Sequence, residues 1–181
     1  MVRKLDEDTM SILNMLSDAK GNYTLLIFIK AQKQMTIGRI GKKNFQMGYY
    51  VYTGSAFGKG FLSLGGRIQR HIRKQKMRRW HIDYLLSDED VDLKAIVAGV
   101  MRQKMECTIN QSLRDIFHAQ IPFLGFGSSD CTEHCNSHLL YLDQTRNIVE
   151  KIVELYSVKT DAEIFVLGFS KSCYISIKCL I

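Results

Sequence analysis

Two tyrosines, one arginine and one histidine are the residues of this sequence whose types and spacing could do chemistry together. Tyr23 ends the tripeptide GNY, and Tyr52 begins the tripeptide YTG about thirty residues later; both lie on β-favouring stretches. Arg67 opens a basic segment beyond the second tripeptide, and His71 follows one helical turn later. Phenol hydroxyls on neighbouring strands and a guanidinium on the next helix can surround one phosphate. The set therefore predicts phosphodiester chemistry.

Length and composition predict one globular domain with a small extension. The chain has 181 residues, of which 46% are hydrophobic and 24% charged. Its apolar stretches are short and broken by charge, so none is expected to span a membrane, and the N-terminus lacks the apolar core of a signal peptide. Five cysteines without regular spacing argue against a secreted disulfide framework. The sequence therefore predicts a cytoplasmic protein.

Positive charge is concentrated in the first half of the chain. Residues 19–82 contain no Asp or Glu but 14 of the 25 Lys and Arg residues, and seven of these lie between Arg67 and Arg79. Such asymmetry favours a polyanionic partner, although a solvated basic face without a partner has the same composition. The candidate nucleic-acid-binding residues are Lys59, Arg70, Arg73, Lys74, Arg78 and Arg79. They are expected to contact the backbone and not to read bases.

Hydrophobic periodicity predicts an α/β (α+β) fold with a small mixed, largely antiparallel sheet flanked by helices. The pattern predicts an N-terminal helical segment at 1–19, a core domain after it and a C-terminal helix–strand extension at 143–181. In the first half it predicts a helix at 8–18, a three-stranded meander (23–29, 35–40 and 45–53, with a turn at 41–44), a glycine-rich loop at 54–66 and a helix at 67–76. In the second half it predicts a strand at 93–100, a helix at 104–118, a loop at 121–131, a strand at 137–142 and a tail of one helix and two strands.

The ordered set of short sequences resembles the GIY-YIG nuclease superfamily, and in particular its small stand-alone Uri-type prokaryotic branch. The matching stretches, which span roughly residues 20–142, are GNY, YTGS, GGRIQRH, RWHIDYL, GFGSSDC and SHLLYL. Asn22 and Thr53 stand where the tripeptides of that family usually carry isoleucine. The resemblance implies a metal-dependent endonuclease that hydrolyses phosphodiester bonds in DNA, directed by structure or damage rather than by sequence.

The resemblance also implies a role for each polar residue. Tyr23 would hold or deprotonate the attacking water, with Tyr52 beside it, and Arg67 would neutralise the non-bridging phosphate oxygens. His71 would assist proton transfer or contact the phosphate. Glu106 is the candidate ligand for a single Mg²⁺ or Mn²⁺, because hard oxygen ligands and retained waters suit such ions.

Other interpretations of the same residues remain open at this stage. The tyrosines are also ordinary strand residues, Arg67 and Glu106 fit a solvated surface, and His71 fits the edge of a core. His81 and Asp83 flank Ile82 and could form a hydrogen-bonded pair.

The end of the loop at 121–131 and the segment that follows it also permit two interpretations. Cys131, His134, Cys135 and His138 lie close enough in sequence to raise zinc as a hypothesis. A zinc signature would have two separated ligand pairs, so a polar loop that packs beside the cleft is the preferred interpretation. In that loop Ser128, Ser129 and Asp130 could position a metal-bound water.

Two further functional hypotheses compete with the nuclease. One is a nucleic-acid-binding module that keeps the fold but does not cleave. The other is a protein-interaction scaffold whose basic surface serves solubility only. No oligomeric state is predicted.

Overall fold

The computed structural model describes residues 7–129, 131–142 and 146–169, and the backbone of residues 176–179. Six strands form one sheet in the order β6-β4-β1-β5-β7-β8, and every neighbouring pair is antiparallel. These strands are β1 (Gly21–Ile29), β4 (Gly48–Ala56), β5 (Val91–Val100), β6 (Leu139–Leu142), β7 (Glu163–Gly168) and β8 (Ser176–Cys179). Two more strands, β2 (Lys33–Thr36) and β3 (Lys42–Phe45), form a separate hairpin.

Within the described part of the chain five α-helices pack on the sheet, and the predicted fold class is confirmed. They are α1 (Glu7–Met15), α2 (Leu64–Ile72), α3 (His81–Leu86), α4 (Glu106–Phe117) and α5 (Ile148–Lys159). Side chains of α1, α2 and α3 share one buried cluster with one sheet face, and those of α4 and α5 share a second cluster with the other face. The sheet thus lies between two helical layers. No helix of the described residues is long and apolar enough to cross a membrane.

β1 lies at the centre of the sheet because its apolar side chains alternate between the two faces. Tyr23, Leu25 and Ile27 belong to the first cluster and Leu26 to the second. On the second face, Thr24 Oγ1 lies 3.0 Å from the hydroxyl of Tyr156 in α5, so even the polar position of this strand is satisfied. Eight of the nine β1 residues are buried, which makes the strand a rigid base for Tyr23.

The predicted three-stranded meander is wrong. β1 pairs directly with β4, and the chain between them forms the β2–β3 hairpin outside the main sheet. The strand predicted at 35–40 gives way to a short 3-10 helix at Gly38–Ile40, and the turn predicted at 41–44 belongs to β3. The reason is burial: β2 and the first three residues of β3 alternate between exposed and half-buried positions, and only Phe45 at the end of β3 is buried. Neither strand could therefore occupy the interior of a sheet covered on both faces.

The helix predicted at 67–76 begins earlier and ends earlier, at Leu64 and Ile72. Ser63 caps its start by accepting a hydrogen bond from the backbone of Gly66 at 3.1 Å. A side chain at Gly65 would approach the carbonyl oxygen of Leu16 to 2.7 Å, so glycine lets α2 pack closely against the end of α1. Beyond the helix, Lys76 Nζ donates to the carbonyls of residues 70 and 71, which closes the last turn. The basic residues after position 72 therefore lie on an irregular segment.

The C-terminal elements pack on the same sheet as the rest of the chain. β7 pairs with β5 over six residues, from Ala95↔Gly168 to Val100↔Glu163. Ile152 and Leu155 of α5 are buried in the second cluster together with Ile109 of α4. The role of residues 143–181 within the described part of the chain is thus to extend and cover the sheet.

Candidate nuclease site

One cavity of about 490 Å³ brings together four of the five residues that the sequence predicted for catalysis and metal binding. These residues are Tyr23, Tyr52, Arg67 and Glu106, and they come from β1, β4, α2 and α4 respectively. In the β1–β4 register Tyr23 pairs with Gly54 and Leu25 pairs with Tyr52, so both tyrosines face the same side of the sheet. The cavity is open to solvent and its lining is mostly polar, which suits a charged ligand.

Tyr23 is held rigidly at one side of this cavity. Its side chain is only 1% exposed, and its hydroxyl oxygen lies 2.9 Å from His71 Nε2, with either atom able to donate. Burial raises the pKa of Tyr23 to about 12, although the nearby Arg67 guanidinium and its hydrogen bond lower that pKa. Tyr23 is therefore a neutral phenol near pH 7, and further positive charge in the cavity would favour its phenolate.

Gly54 of the second tripeptide leaves the space that the Tyr23 hydroxyl occupies. A Cβ atom at position 54 would lie 2.5 Å from Tyr23 Oη and 2.6 Å from Cζ. Since Tyr23 is fixed by the sheet and by His71, it has no room to give way. This close approach explains why the two tripeptides are coupled: the glycine of one accommodates the tyrosine of the other.

We predict that Gly54→Ala destabilises the protein by about 1–3 kcal/mol, because it overpacks this contact. Urea unfolding measures the change. In a Tyr23→Ala background the same glycine substitution is expected to cost almost nothing, since its collision partner is gone. An equal cost in both backgrounds would mean that the strain arises elsewhere.

His71 is buried and neutral. Its side chain is 2% exposed, and burial together with the charge of Lys76 holds its pKa well below the usual value of 6.5. The Nδ1 atom has no hydrogen-bond partner among the described residues. His71 thus supports Tyr23 through Nε2 and can exchange a proton with it, but it does not reach the cavity lining itself.

Arg67 presents its guanidinium to the cavity from the second turn of α2. The guanidinium carbon lies 4.7 Å from the centre of the Trp80 ring, which fixes the side chain by a cation–π contact. Its Nε is buried and has no hydrogen-bond partner among the described residues. An arginine held in this way has donor capacity left for an anion. Trp80 is a residue that sequence analysis missed as a support, because only the fold brings it to Arg67.

Glu106 lines the cavity as the first residue of α4. The residue is 8% exposed. Its Oε1 atom forms an ion pair with Lys104 Nζ at 2.9 Å, and its Oε2 atom is buried without a hydrogen-bond partner among the described residues. Lys104 is well exposed, so this ion pair is solvent-screened. A carboxylate that lines a polar cavity and has one oxygen without a hydrogen-bond partner among the described residues fits a single site for Mg²⁺ or Mn²⁺ completed by waters.

Asn22 positions Glu106. It is fully buried, donates from Nδ2 to the carbonyl of Gln103 at 3.1 Å, and accepts at Oδ1 from the Met105 backbone at 3.1 Å. These bonds hold the chain just before α4 against the start of β1. These hydrogen bonds explain why this chain has an asparagine at position 22, which the sequence of the tripeptide alone did not indicate.

The predicted pairing of His81 with Asp83 is wrong. Asp83 is fully buried and accepts from Arg70, with an Nη2–Oδ2 distance of 2.8 Å, and from the backbone of Trp80 at 2.9 Å. His81 lines the cavity and accepts at Nδ1 from the Gly127 backbone at 3.1 Å. The two side chains diverge because Asp83 satisfies the start of its own helix α3.

The six predicted nucleic-acid-binding residues fall into two groups. Arg70 is held internally by Asp83, and Lys74 Nζ donates to the carbonyls of Asp88 and Val91, so both of these cations have structural contacts. The other four, which are Lys59, Arg73, Arg78 and Arg79, are exposed, as Lys74 also is. Of the six, only Arg79 lines the cavity.

Three cysteines and one histidine form a second group beside the cavity. The ligand atoms of Cys107, Cys131, Cys135 and His138 all lie within 4.8 Å of one another. The sequence-based set had His134 in place of Cys107. That choice is wrong because His134 is exposed, whereas Cys107 is brought in by the first turn of α4. Asp130 lies outside the described residues, so its predicted role with Ser128 and Ser129 is not addressed by the fold.

Comparisons with known proteins identify a family but no function. Searches among curated proteins and among solved structures found no match to the chain. The family model described as "Domain of unknown function DUF123" matches residues 22–160, which include Asn22 and Tyr23 of the first tripeptide, the whole second tripeptide, α2, α4 and the cysteine cluster. The chain therefore belongs to the DUF123 family.

Proposed function

We propose that this protein is a metal-dependent endonuclease that hydrolyses phosphodiester bonds in DNA. The observation that carries the proposal is the shared cavity: Tyr23, Tyr52, Arg67 and Glu106 line it together. Arg67 and Glu106 each keep a buried polar atom without a partner among the described residues, as expected of groups that meet a ligand. The GIY-YIG resemblance and the Mg²⁺ or Mn²⁺ assignment are parts of this same proposal.

Each side chain has a defined task in this hydrolysis. Tyr23 orients the attacking water and, in its phenolate form, takes a proton from that water to become the neutral phenol, while the neutral His71 holds the Tyr23 oxygen in place across the 2.9 Å contact. The Tyr52 hydroxyl, on the same sheet face, hydrogen-bonds the phosphate or the water. Arg67 donates to the non-bridging oxygens, whose charge grows as the new P–O bond forms and the old one breaks.

A divalent cation held by Glu106 would supply charge neutralisation at the phosphate and would lower the pKa of nearby acids. The Tyr23 pKa of about 12 makes such help necessary in this chain, because desolvation opposes the phenolate.

A second candidate function is a non-cleaving nucleic-acid-binding module on the same fold. The raised pKa of Tyr23 favours it, since a phenol that stays protonated is a weak base. Both candidates share a DNA partner. A cytoplasmic location belongs to the proposal as well; it is supported by the free thiols of Cys107, Cys131 and Cys135, which a reducing compartment would preserve.

Cleavage assays separate the candidates. Purified protein is incubated with supercoiled, branched and single-stranded DNA, with Mg²⁺ or Mn²⁺ and after their omission. Omission is a cleaner control than a chelator, which would also act on the Cys107 cluster. Metal-dependent cutting supports the enzyme, and salt-sensitive binding without cutting supports the binding module. If the protein neither cuts nor binds DNA, a protein-interaction scaffold is the remaining hypothesis.

Binding to DNA is predicted to depend on the exposed arginines of the segment after α2. The double variant Arg73→Ala/Arg78→Ala is expected to reduce the slope of log Kd against log salt by up to about 2, since each lost phosphate contact removes nearly one unit. Fluorescence anisotropy over a salt series measures it. Arg146→Ala/Lys159→Ala changes the net charge equally at exposed positions near and on α5 and should leave the slope unchanged. Equal effects of the two doubles would contradict a localised interface.

A further inference from the structure

We infer that Cys107, Cys131, Cys135 and His138 bind one structural zinc ion, at a site distinct from the proposed Mg²⁺ or Mn²⁺ site at Glu106. Three of the ligands come from the segment 131–138, which precedes β6, and the fourth from the first turn of α4. The inference rests on this cluster alone and is independent of the proposed nuclease activity.

The distances within the cluster suit a tetrahedral zinc site. Cys107 Sγ lies 3.4 Å from Cys131 Sγ and 3.7 Å from His138 Nε2. Ligands about 2.3 Å from a tetrahedral zinc ion lie about 3.8 Å apart, close to both values. The Cys107–Cys131 separation is far longer than the ~2.05 Å of a disulfide bond. The four atoms need only small adjustments to take up zinc geometry.

The chemistry of the donor set selects the metal. Thiolates and a neutral imidazole are soft ligands that favour zinc over the hard ions Mg²⁺ and Mn²⁺, which prefer oxygen. Three cysteines and one histidine complete four-coordination without an open position, which is typical of structural zinc sites and not of catalytic ones. Glu106 and the Cys107 cluster thus differ in ligand type although they are adjacent in sequence.

Hydrogen bonds around the cluster support thiolate ligands. The Cys135 backbone N–H points to Cys131 Sγ at 3.4 Å, and Gln111 Nε2 lies 3.6 Å from Cys135 Sγ. Donors of this kind stabilise sulfur in its anionic form and orient it. Both hydrogen-bond donors belong to the two elements that carry the ligands, namely segment 131–138 and α4. The fold that brings the ligands together therefore also places these donors beside the sulfur atoms.

Zinc here would fix one wall of the cavity. The backbone of His138 is tied to β4, since its carbonyl accepts from Thr53 N at 3.1 Å, and Cys131 and His138 both line the cavity. A metal bond from this segment to Cys107 would hold the start of α4, and with it Glu106, against the strand that carries Tyr52. The site would thus position the cavity without touching the reacting atoms.

The test measures metal in the full-length protein, purified in reducing buffer without chelator from cells supplied with zinc. Mass spectrometry of the eluted metal should give about one zinc per chain. Titration with a mercurial reagent should release it as thiols are modified, and cobalt replacement should give the intense visible absorption of a tetrahedral thiolate site. Cys107→Ser should lower the zinc content at least severalfold.

His134→Asn is the matched control, because it removes the histidine that local spacing alone would select, and asparagine tolerates the left-handed backbone at this position (φ 55°). It should keep one zinc per chain. Should Cys107→Ser fail to fold, the metal content and cobalt spectrum of the unmodified protein still decide. Wild-type protein without zinc, with the cluster thiols freely reactive or with a Cys107–Cys131 disulfide, would overturn the inference, and so would loss of zinc in His134→Asn alone.

Discussion

Tyr23→Phe is expected to reduce metal-dependent DNA cleavage by about a thousandfold while leaving the fold and DNA binding intact. The substitution removes one hydroxyl, which lies 2.9 Å from His71 Nε2 at the edge of the proposed reaction cavity. Loss of a single general base or water-orienting group costs about 10²–10⁴ in rate. Single-turnover cleavage of supercoiled DNA measures the effect, and circular dichroism checks the fold.

A matched control exists on the other face of the sheet. Tyr156 is also fully buried, and its hydroxyl lies 3.0 Å from Thr24 Oγ1, next in sequence to Tyr23. Tyr156→Phe therefore deletes a buried hydroxyl of the same kind, with a comparable stability cost of about 1 kcal/mol. It should retain cleavage. If both variants lose activity equally, the hydroxyl of Tyr23 acts through stability and has no special part in the reaction.

The dependence of the wild-type rate on pH offers a second check on Tyr23. The pKa of Tyr23 is raised to about 12, so at lower pH the phenolate fraction increases about tenfold for each unit by which the pH rises. The cleavage rate should therefore rise between about pH 7 and pH 9. His71 should add no inflection in this range, since its pKa is lowered well below 6.5 and the imidazole stays neutral. A rate that falls with rising pH would contradict a proton-accepting role for Tyr23.

The placement of the tyrosines could be predicted from sequence because it follows from local pattern. An uninterrupted apolar stretch such as 23–29 indicates a buried central strand, and the tyrosine-rich stretch 45–53 indicates another. The pairing of these two strands was missed, because the polar hairpin between them was taken as part of the same sheet. The requirement for Gly54 beside Tyr23 became visible only with the register.

Contacts between distant parts of the chain could not be predicted from spacing. Sequence analysis assigned Arg70 to the nucleic acid, whereas the buried Asp83 holds it in a partly buried ion pair. It selected His134 for the metal because of its proximity in sequence, whereas Cys107 enters the cluster from α4, 24 residues before Cys131. In both cases the deciding partner comes from another element, and periodicity carries no information about which helix faces which loop.

Glu106→Gln is expected to weaken metal activation, so that cleavage requires a much higher Mg²⁺ concentration and its rate falls at least a hundredfold at limiting Mg²⁺. The amide keeps the shape of the side chain but loses the charge that a hard cation requires, and Oε2 has no other partner among the described residues that could mask the loss. DNA binding without metal should be unchanged or tighter, because one negative charge leaves a cavity that also holds Arg67. Rates over a range of Mg²⁺ and Mn²⁺ concentrations measure the shift.

A control variant and a measurement of zinc content test whether the effect of Glu106→Gln is specific to the proposed Mg²⁺ or Mn²⁺ site. Glu154→Gln makes the same chemical change at an exposed position of α5 and should leave the metal dependence unaltered. Glu106→Gln should still contain one zinc per chain, since Cys107 keeps its thiolate although it is the next residue. Loss of both zinc and cleavage would mean that position 106 acts by holding the start of α4. Unchanged metal dependence would instead show that another carboxylate holds the cation, while the cavity of Tyr23 and Arg67 would still account for the cleavage.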